Sequence, residues 1–230
     1  MIEFDRVRVT APSAAGAKTL LEDLTVTLGE PRVVVLGANG SGKSTLLRLI
    51  NGLVRPDSGR VAVDGVATVG STATAVRRRV GLIFTDPLAQ LLMPTPAEDI
   101  ELSLRRLVPD RTARRARALD LLAQWDLAHL AHASVYDLSG GERQLVALVA
   151  VLAAEPAVIV ADEPSTLLDL RNSRRLYEAL AGLDQQLVVA THDLAWATTF
   201  DRALVVEAGR LAFDGPAAEA VAWYERRATA

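Results

Sequence analysis

Apolar and polar residues alternate at the start of the chain: Ile2 and Phe4, then Val7 and Val9 after a slip of one position. The alternation returns at Leu24-Thr25-Val26-Thr27-Leu28, and both stretches predict strands with one buried face. Between them, Pro12-Ser13-Ala14-Ala15-Gly16 reads as a turn, so the chain opens with an antiparallel β subdomain. Arg32-Val33-Val34-Val35-Leu36 is continuously apolar after its first residue and stops at Gly37, the pattern of a strand buried on both faces. A helix is predicted from Lys43 to Asn51, closed by Gly52. Further strands are predicted at Val61–Gly65, Val80–Phe84, Ala157–Ala161, Gln186–Ala190 and Arg202–Glu207. Helices near Arg171–Gly182, Leu194–Thr199 and Pro216–Ala222 accompany the later strands. From about Thr95 to Ala133 the spacing turns helical, with Ile100, Leu104 and Leu107 and then Leu119, Leu122 and Trp125. That is a helical lobe inserted in an α/β core whose sheet is mainly parallel. The expected division is a core of 1–85 and 155–230 with a lobe at about 86–154.

Composition narrows the classes. The 230 residues are 50% hydrophobic and 23% charged, which fits one folded domain with an ordinary core rather than a disordered chain. A net charge of −3 argues against a general nucleic-acid coat, and nucleic acid is not an expected partner. With no cysteine, neither a disulfide framework nor a thiolate metal site is available. The start lacks a basic segment followed by an apolar run, so no secretory leader is expected. The longest apolar run, Leu145 to Ala154, is far short of the roughly 18 residues that span a bilayer. Arg77-Arg78-Arg79 and Arg111 to Arg117 read as solvated helix faces, since Glu101 and Asp110 lie nearby, with anionic lipid headgroups as the alternative contact.

Chemistry concentrates in a few places. Gly37-Ala38-Asn39-Gly40-Ser41-Gly42-Lys43-Ser44-Thr45 follows a predicted strand and opens a predicted helix, the setting of a phosphate-binding loop. Its glycines let backbone N–H groups converge on phosphates, and the helix adds its positive end. Lys43 is expected to reach the β- and γ-phosphates of a bound nucleotide, and the Ser44 hydroxyl to ligate Mg²⁺. Val158-Ile159-Val160-Ala161 ends in Asp162 and Glu163, and strand ends in such sheets face the ligand. Asp162 is expected to hold Mg²⁺ through water and Glu163 to orient and deprotonate an attacking water. Leu138-Ser139-Gly140-Gly141-Glu142 precedes a long helical pattern, with Ser139 a good N-cap beside exposed N–H groups.

Together these motifs, in this order, resemble those of the ATP-binding-cassette (ABC) ATPases. The resemblance implies a P-loop NTPase fold and a head-to-tail homodimer with ATP sandwiched between one subunit's P-loop and the other's Ser139, Gly140 and Gly141. It further implies that Asp169 lies in the loop crossing the dimer interface and that His192 contacts the γ-phosphate as the switch histidine. Two positions depart from the family. Thr85 stands where a glutamine is usual and keeps a hydroxyl able to touch Mg²⁺ or its water. Val9-Thr10-Ala11-Pro12 replaces the aromatic that commonly stacks on adenine.

Asp86 to Ile100 resembles the extra helix of energy-coupling-factor (ECF) transporter ATPases, which sits beside the groove for a transmembrane coupling protein. Leu91, Leu92 and Met93 form an apolar cluster there, fit either for a partner helix or for packing the lobe onto the core. Glu163 to Asn172 and Leu183-Asp184-Gln185-Gln186 look like the ATPase of biotin ECF transporters. The resemblance therefore implies a peripheral subunit on the cytoplasmic face of the membrane. Its partners would be the coupling protein and a substrate-binding membrane protein, with no direct contact to cargo. A cobalt or nickel ECF importer, a soluble non-transport ABC ATPase and a non-hydrolysing nucleotide sensor remain alternatives.

Overall fold

The computed structural model describes residues 1–13 and 16–228. In chain order the elements begin β1 (Ile2–Ser13), β2 (Gly16–Leu28), β3 (Arg32–Leu36), α1 (Lys43–Ile50), β4 (Ser58–Val63), β5 (Val66–Ala67), α2 (Ala73–Arg79) and β6 (Val80–Ile83). They continue α3 (Pro96–Leu104), α4 (Arg111–Gln124), α5 (Gly140–Leu152), β7 (Val158–Asp162), α6 (Leu170–Ala181) and β8 (Gln186–Ala190). The chain closes with α7 (Leu194–Ala197), β9 (Arg202–Glu207), β10 (Arg210–Pro216) and α8 (Ala217–Ala228). Two compact units result: residues 1–80, 158–163 and 185–230 form one, and 81–157 with 164–184 form the other. Residues 164–184 thus belong to the second unit, where the sequence reading placed them in the core.

The first unit holds two sheets. An antiparallel one runs β2-β1-β4-β5, the N-terminal β subdomain anticipated above. The slip in the β1 pattern is a backbone irregularity: the register shifts between Phe4 and Val7, and Arg6 takes φ +46°. The turn read at 12–16 is partly strand, since Pro12, Ser13 and Gly16 pair within β1 and β2, while Ala14 and Ala15 lie outside the described residues. The second sheet carries β10-β9-β3-β8-β7, parallel from β9 to β7 with β10 antiparallel at its edge. Val33 to Leu36 and Val158 to Asp162 are buried throughout, as a sheet covered on both faces requires. Helix α1 lays Leu46, Leu47, Leu49 and Ile50 into that core, and Gly52 follows its last turn with φ +71°.

In the second unit α3 starts at a Thr95 cap with Pro96 in its first turn and α4 at an Asp110 cap. The solvated-face reading of the arginines fits their pairing: Arg115 meets Glu101 at 2.6 Å here, and Arg79 of the first unit meets Asp64 at 2.6 Å. Among the described residues no helix is long and apolar enough to cross a membrane.

Candidate active site

Two glycines of the phosphate loop stand where a side chain would strike main chain. Gly37 has φ +144°, and a Cβ there would stand 2.2 Å from the Val206 carbonyl oxygen. Gly42 has φ +116°, with the Leu20 carbonyl oxygen 2.6 Å from its hypothetical Cβ, so β2 lies directly against the loop. Ser41 closes the turn by donating its N–H to the Ala38 carbonyl at 3.1 Å, and Gly209 donates to Ser41 at 2.9 Å. Asn39, Gly40, Gly42, Lys43, Ser44 and Thr45 all line a pocket of about 190 Å³ that Glu163 also borders.

Lys43 crosses beneath the loop, its ammonium donating to the carbonyls of Gly37 at 2.7 Å and Ala38 at 3.2 Å. Burial lowers its pKa, and the carboxylates of Glu163 and Asp162 counter that by favouring the charged form. Ser44 donates its hydroxyl to Asp162 Oδ1 at 2.9 Å, joining the first turn of α1 to the end of β7. Arg48, one turn along the same face of α1, reaches the other oxygen, Asp162 Oδ2, at 3.7 Å. Sequence reasoning passed over Arg48, although its spacing of four from Ser44 was a usable signal.

Glu163 follows β7 in the left-handed region, φ +49°, and its N–H donates to the Ala190 carbonyl at 3.0 Å. An L-residue pays strain for that conformation, which aims the carboxylate back over the loop. Its Oε1 stands 3.0 Å from His192 Nε2 and 3.7 Å from Lys43 Nζ. His192 Nε2 also lies 2.9 Å from Asn39 Oδ1 and 3.4 Å from Lys43 Nζ. A hydrogen on Nε2 would serve the Asn39 Oδ1 acceptor, while Glu163 Oε1 makes a close charge contact there rather than a hydrogen bond. The first unit thus gathers the P-loop, Asp162, Glu163 and His192 in one place. Such a site can hold a triphosphate by charge and backbone N–H groups while a carboxylate faces the reacting end.

The remaining predicted residues, Thr85, Ser139, Gly140, Gly141 and Asp169, belong to the second unit. There Ser139 caps α5 in a reciprocal arrangement: Glu142 N–H donates to Ser139 Oγ, and the Ser139 N–H and hydroxyl donate to Glu142 Oε2 at 2.8 and 2.7 Å. Asp169 caps α6, accepting from Asn172 N–H at 2.8 Å. A Cβ on Gly141 would meet Asn172 Cγ at 2.3 Å, so the starts of α5 and α6 are pressed together. Beside Thr85, the Phe84 main chain is held by Gln90 and Gln144 side chains at 3.0 and 3.3 Å. The apolar cluster divides: Leu91 is buried, whereas Leu92 is 74% exposed. The main-chain N–H groups of Leu92 and Met93 donate to the buried Asp99 carboxylate at 2.6 and 2.8 Å. Val135 N–H donates to the Pro94 carbonyl at 3.0 Å, setting the segment of Leu92 beside that of Tyr136, itself 76% exposed.

Comparison with known proteins follows the same lines. The model of the ABC transporter family matches residues 21–166. A putative ABC transporter ATP-binding protein of Bartonella quintana is 43% identical over 227 residues, 99% of this chain and 98% of that one. The biotin transport ATP-binding protein BioM of Rhizobium etli is 42% identical, covering 91% and 92%. The nickel import ATP-binding protein NikO of Rhodobacter capsulatus is 40% identical, covering 87% and 84%. Among solved structures, a dimeric ATP-binding cassette in a post-hydrolysis state bound to ADP and Pi superposes with TM-score 0.84 at 29% identity, covering 94% of this chain and 99% of that one.

Proposed function

The chain belongs to the ABC transporter family and is an ATPase, and from that premise we propose that it is the ATP-hydrolysing subunit of an ECF-type importer that takes up biotin. The observation that carries the catalytic part is the meeting of Glu163, His192 and Lys43 within 3.0–3.7 Å beside the phosphate loop. Lys43 and the loop hold the phosphates. Glu163 accepts the proton of the attacking water. His192, fixed by Asn39, presents its Nε2–H toward the same point and steadies the charge that develops there. Ser44 and Asp162, two hard oxygens 2.9 Å apart, fit Mg²⁺, which takes few protein ligands and completes its shell with phosphate oxygens and water. When bound, that ion would neutralise charge across the β- and γ-phosphates. Thr85 is proposed as a further oxygen toward the ion or its water.

Two copies would close head to tail on ATP, each offering Ser139, Gly140, Gly141 and Asp169 to the other's nucleotide. A relative solved as a dimeric cassette with ADP and Pi supports this arrangement. Exposed Leu92 and Tyr136 offer an apolar seat to a helix of a membrane coupling protein, which would hold the subunit on the cytoplasmic face of the membrane. The nickel importer's 40% identity, beside the biotin protein's 42%, favours a metal-ion importer as the second reading of cargo.

Purification of the tagged chain from its own membranes in mild detergent decides between them. A polytopic membrane protein and a small membrane protein carrying biotin should copurify. A small protein carrying nickel or cobalt would replace the cargo assignment, and the ATPase emerging alone would remove the transport role.

A further inference from the structure

Arg48 lies outside the phosphate loop, yet it touches the carboxylate assigned to the ion. Helix α1 buries Leu46, Leu47, Leu49 and Ile50 and leaves Arg48 exposed among them. A cation in the last turn of a helix has a simple use, which is to offset the negative end of the helix dipole. For that use alone the side chain would stay near the last carbonyls. Arg48 runs the other way. Helix side chains lean toward the N-terminus, so residue 48 covers the turn that starts at Ser44. Its guanidinium ends 3.7 Å from Asp162 Oδ2, while the Ser44 hydroxyl donates to Oδ1 of the same carboxylate at 2.9 Å.

Asp162 closes β7 and is only 5% exposed, so its carboxylate depends on protein partners rather than on water. The torsion that turns a carboxylate about its own axis is broad and nearly two-fold. Exchanging the two oxygens therefore costs little unless each one has a partner of its own. Ser44 and Arg48 differ in kind as partners. A hydroxyl can turn its hydrogen aside and offer a lone pair to a metal or its water, whereas a guanidinium has donors only. Oδ1 and Ser44 Oγ thus make the oxygen pair a hard cation can use, and Oδ2 stays with Arg48. Lys43, the neighbouring cation, is engaged by the carbonyls of Gly37 and Ala38. Mg²⁺ demands near-ideal octahedral geometry, so its affinity is sensitive to how a carboxylate is turned. The guanidinium also repels a cation, but its side chain is 52% exposed and water screens that repulsion.

We propose that Arg48 is a positioning residue for the metal site: its hold on Asp162 Oδ2 keeps Oδ1 beside Ser44 for Mg²⁺. The proposal rests on the reading that Ser44 and Asp162 take that ion.

The test titrates Mn²⁺ into the full chain with a non-hydrolysable ATP analogue and follows the ion by electron paramagnetic resonance, so no turnover is needed. Asp162→Asn sets the scale by removing the ligand charge. Arg48→Met keeps an unbranched, helix-forming side chain without the cation. Losing the partner that supports a metal ligand costs about 10–100-fold in affinity, and a half-exposed partner less. Arg48→Met should therefore raise the Mn²⁺ dissociation constant by about three- to tenfold. Metal-free binding of a fluorescent ATP analogue should not change. Arg48→Lys, with a cation on a long stem, should recover most of the lost Mn²⁺ affinity. An Mn²⁺ constant in Arg48→Met equal to the wild-type value overturns the proposal. A lower constant does so too, since repulsion would then outweigh positioning. So does an equal loss of metal-free nucleotide binding, which marks a disturbed α1 rather than a turned carboxylate. If Asp162→Asn leaves Mn²⁺ affinity untouched, the metal reading itself falls and the proposal falls with it.

Discussion

Glu163 is held between two positive or donating groups, Lys43 and His192, and its backbone is bent into the left-handed region to reach them. Glu163→Gln keeps the shape and the hydrogen-bonding oxygen but cannot take a proton. ATP turnover should therefore fall by roughly 10²–10⁴-fold with nucleotide affinity retained, as phosphate release and equilibrium binding would show. Wild-type turnover in that variant would remove Glu163 as the base. Lys43→Ala should act on the other quantity, weakening nucleotide binding itself, because it removes the buried ammonium that sits beneath the loop. Unchanged affinity would count against the loop's assignment. These residues were legible because their chemistry forces a local pattern. A phosphate cradle needs glycines at positive φ, and Gly37 and Gly42 stand where a Cβ would strike main chain. Lys18, which lines the same pocket from β2, left no such trace: a lysine after a turn is ordinary in any sequence.

Helix α5 begins with a reciprocal cap that contributes to stability in its own right. Replacing Ser139 with alanine should lower the unfolding free energy by about 1 kcal/mol, seen as a shift of the urea midpoint. The cap carries a pH signature as well. Hydrogen bonds donated by the Ser139 hydroxyl and N–H hold the Glu142 carboxyl below its ordinary value of 4.5. A carboxyl lowered by folding adds stability that is complete above 4.5 and disappears as pH falls through the lowered value. The stability difference between wild type and Glu142→Ala should accordingly be largest near neutrality and shrink in acid. A difference that stays constant from pH 7 down through the acid range would show that Glu142 is not held by this cap. The cap was readable because serine followed three residues later by glutamate is a local code. Strand β10 was not. Its Asp214-Gly215-Pro216 reads as a turn, and at an edge, where one side needs no ladder partner, such residues are tolerated. Helix α2 was also missed, since Ala73 to Arg79 is a short run ending in three arginines that offers little apolar periodicity.

At the scale of the whole molecule, the chain passes from the first unit to the second and back more than once. That is why residues 164–184 could not be placed from sequence: α6 buries Leu176 and Leu180 on one stripe, a pattern that fits either unit equally. The proposed dimer asks the second unit of one copy to meet the phosphate loop of the other, and two adjacent glycines allow that demand to be separated from folding. Gly141 cannot accept a side chain, because Asn172 stands 2.3 Å from where its Cβ would be. Gly140 can: the nearest atoms to its hypothetical Cβ are at 3.6 and 3.8 Å, ordinary contact distances. An aspartate at Gly140 suits the first turn of a helix, so Gly140→Asp should keep the thermal midpoint and the affinity of the single chain for ATP. The same carboxylate would face the partner's triphosphate and repel it. In a Glu163→Gln background that retains its ATP, sedimentation velocity should show a dimer with magnesium-ATP. Adding Gly140→Asp should return it to monomer at the same nucleotide concentration. Dimerisation that ignores Gly140→Asp would mean that the start of α5 does not meet the partner's nucleotide, leaving the P-loop chemistry in place and requiring a different face for the interface.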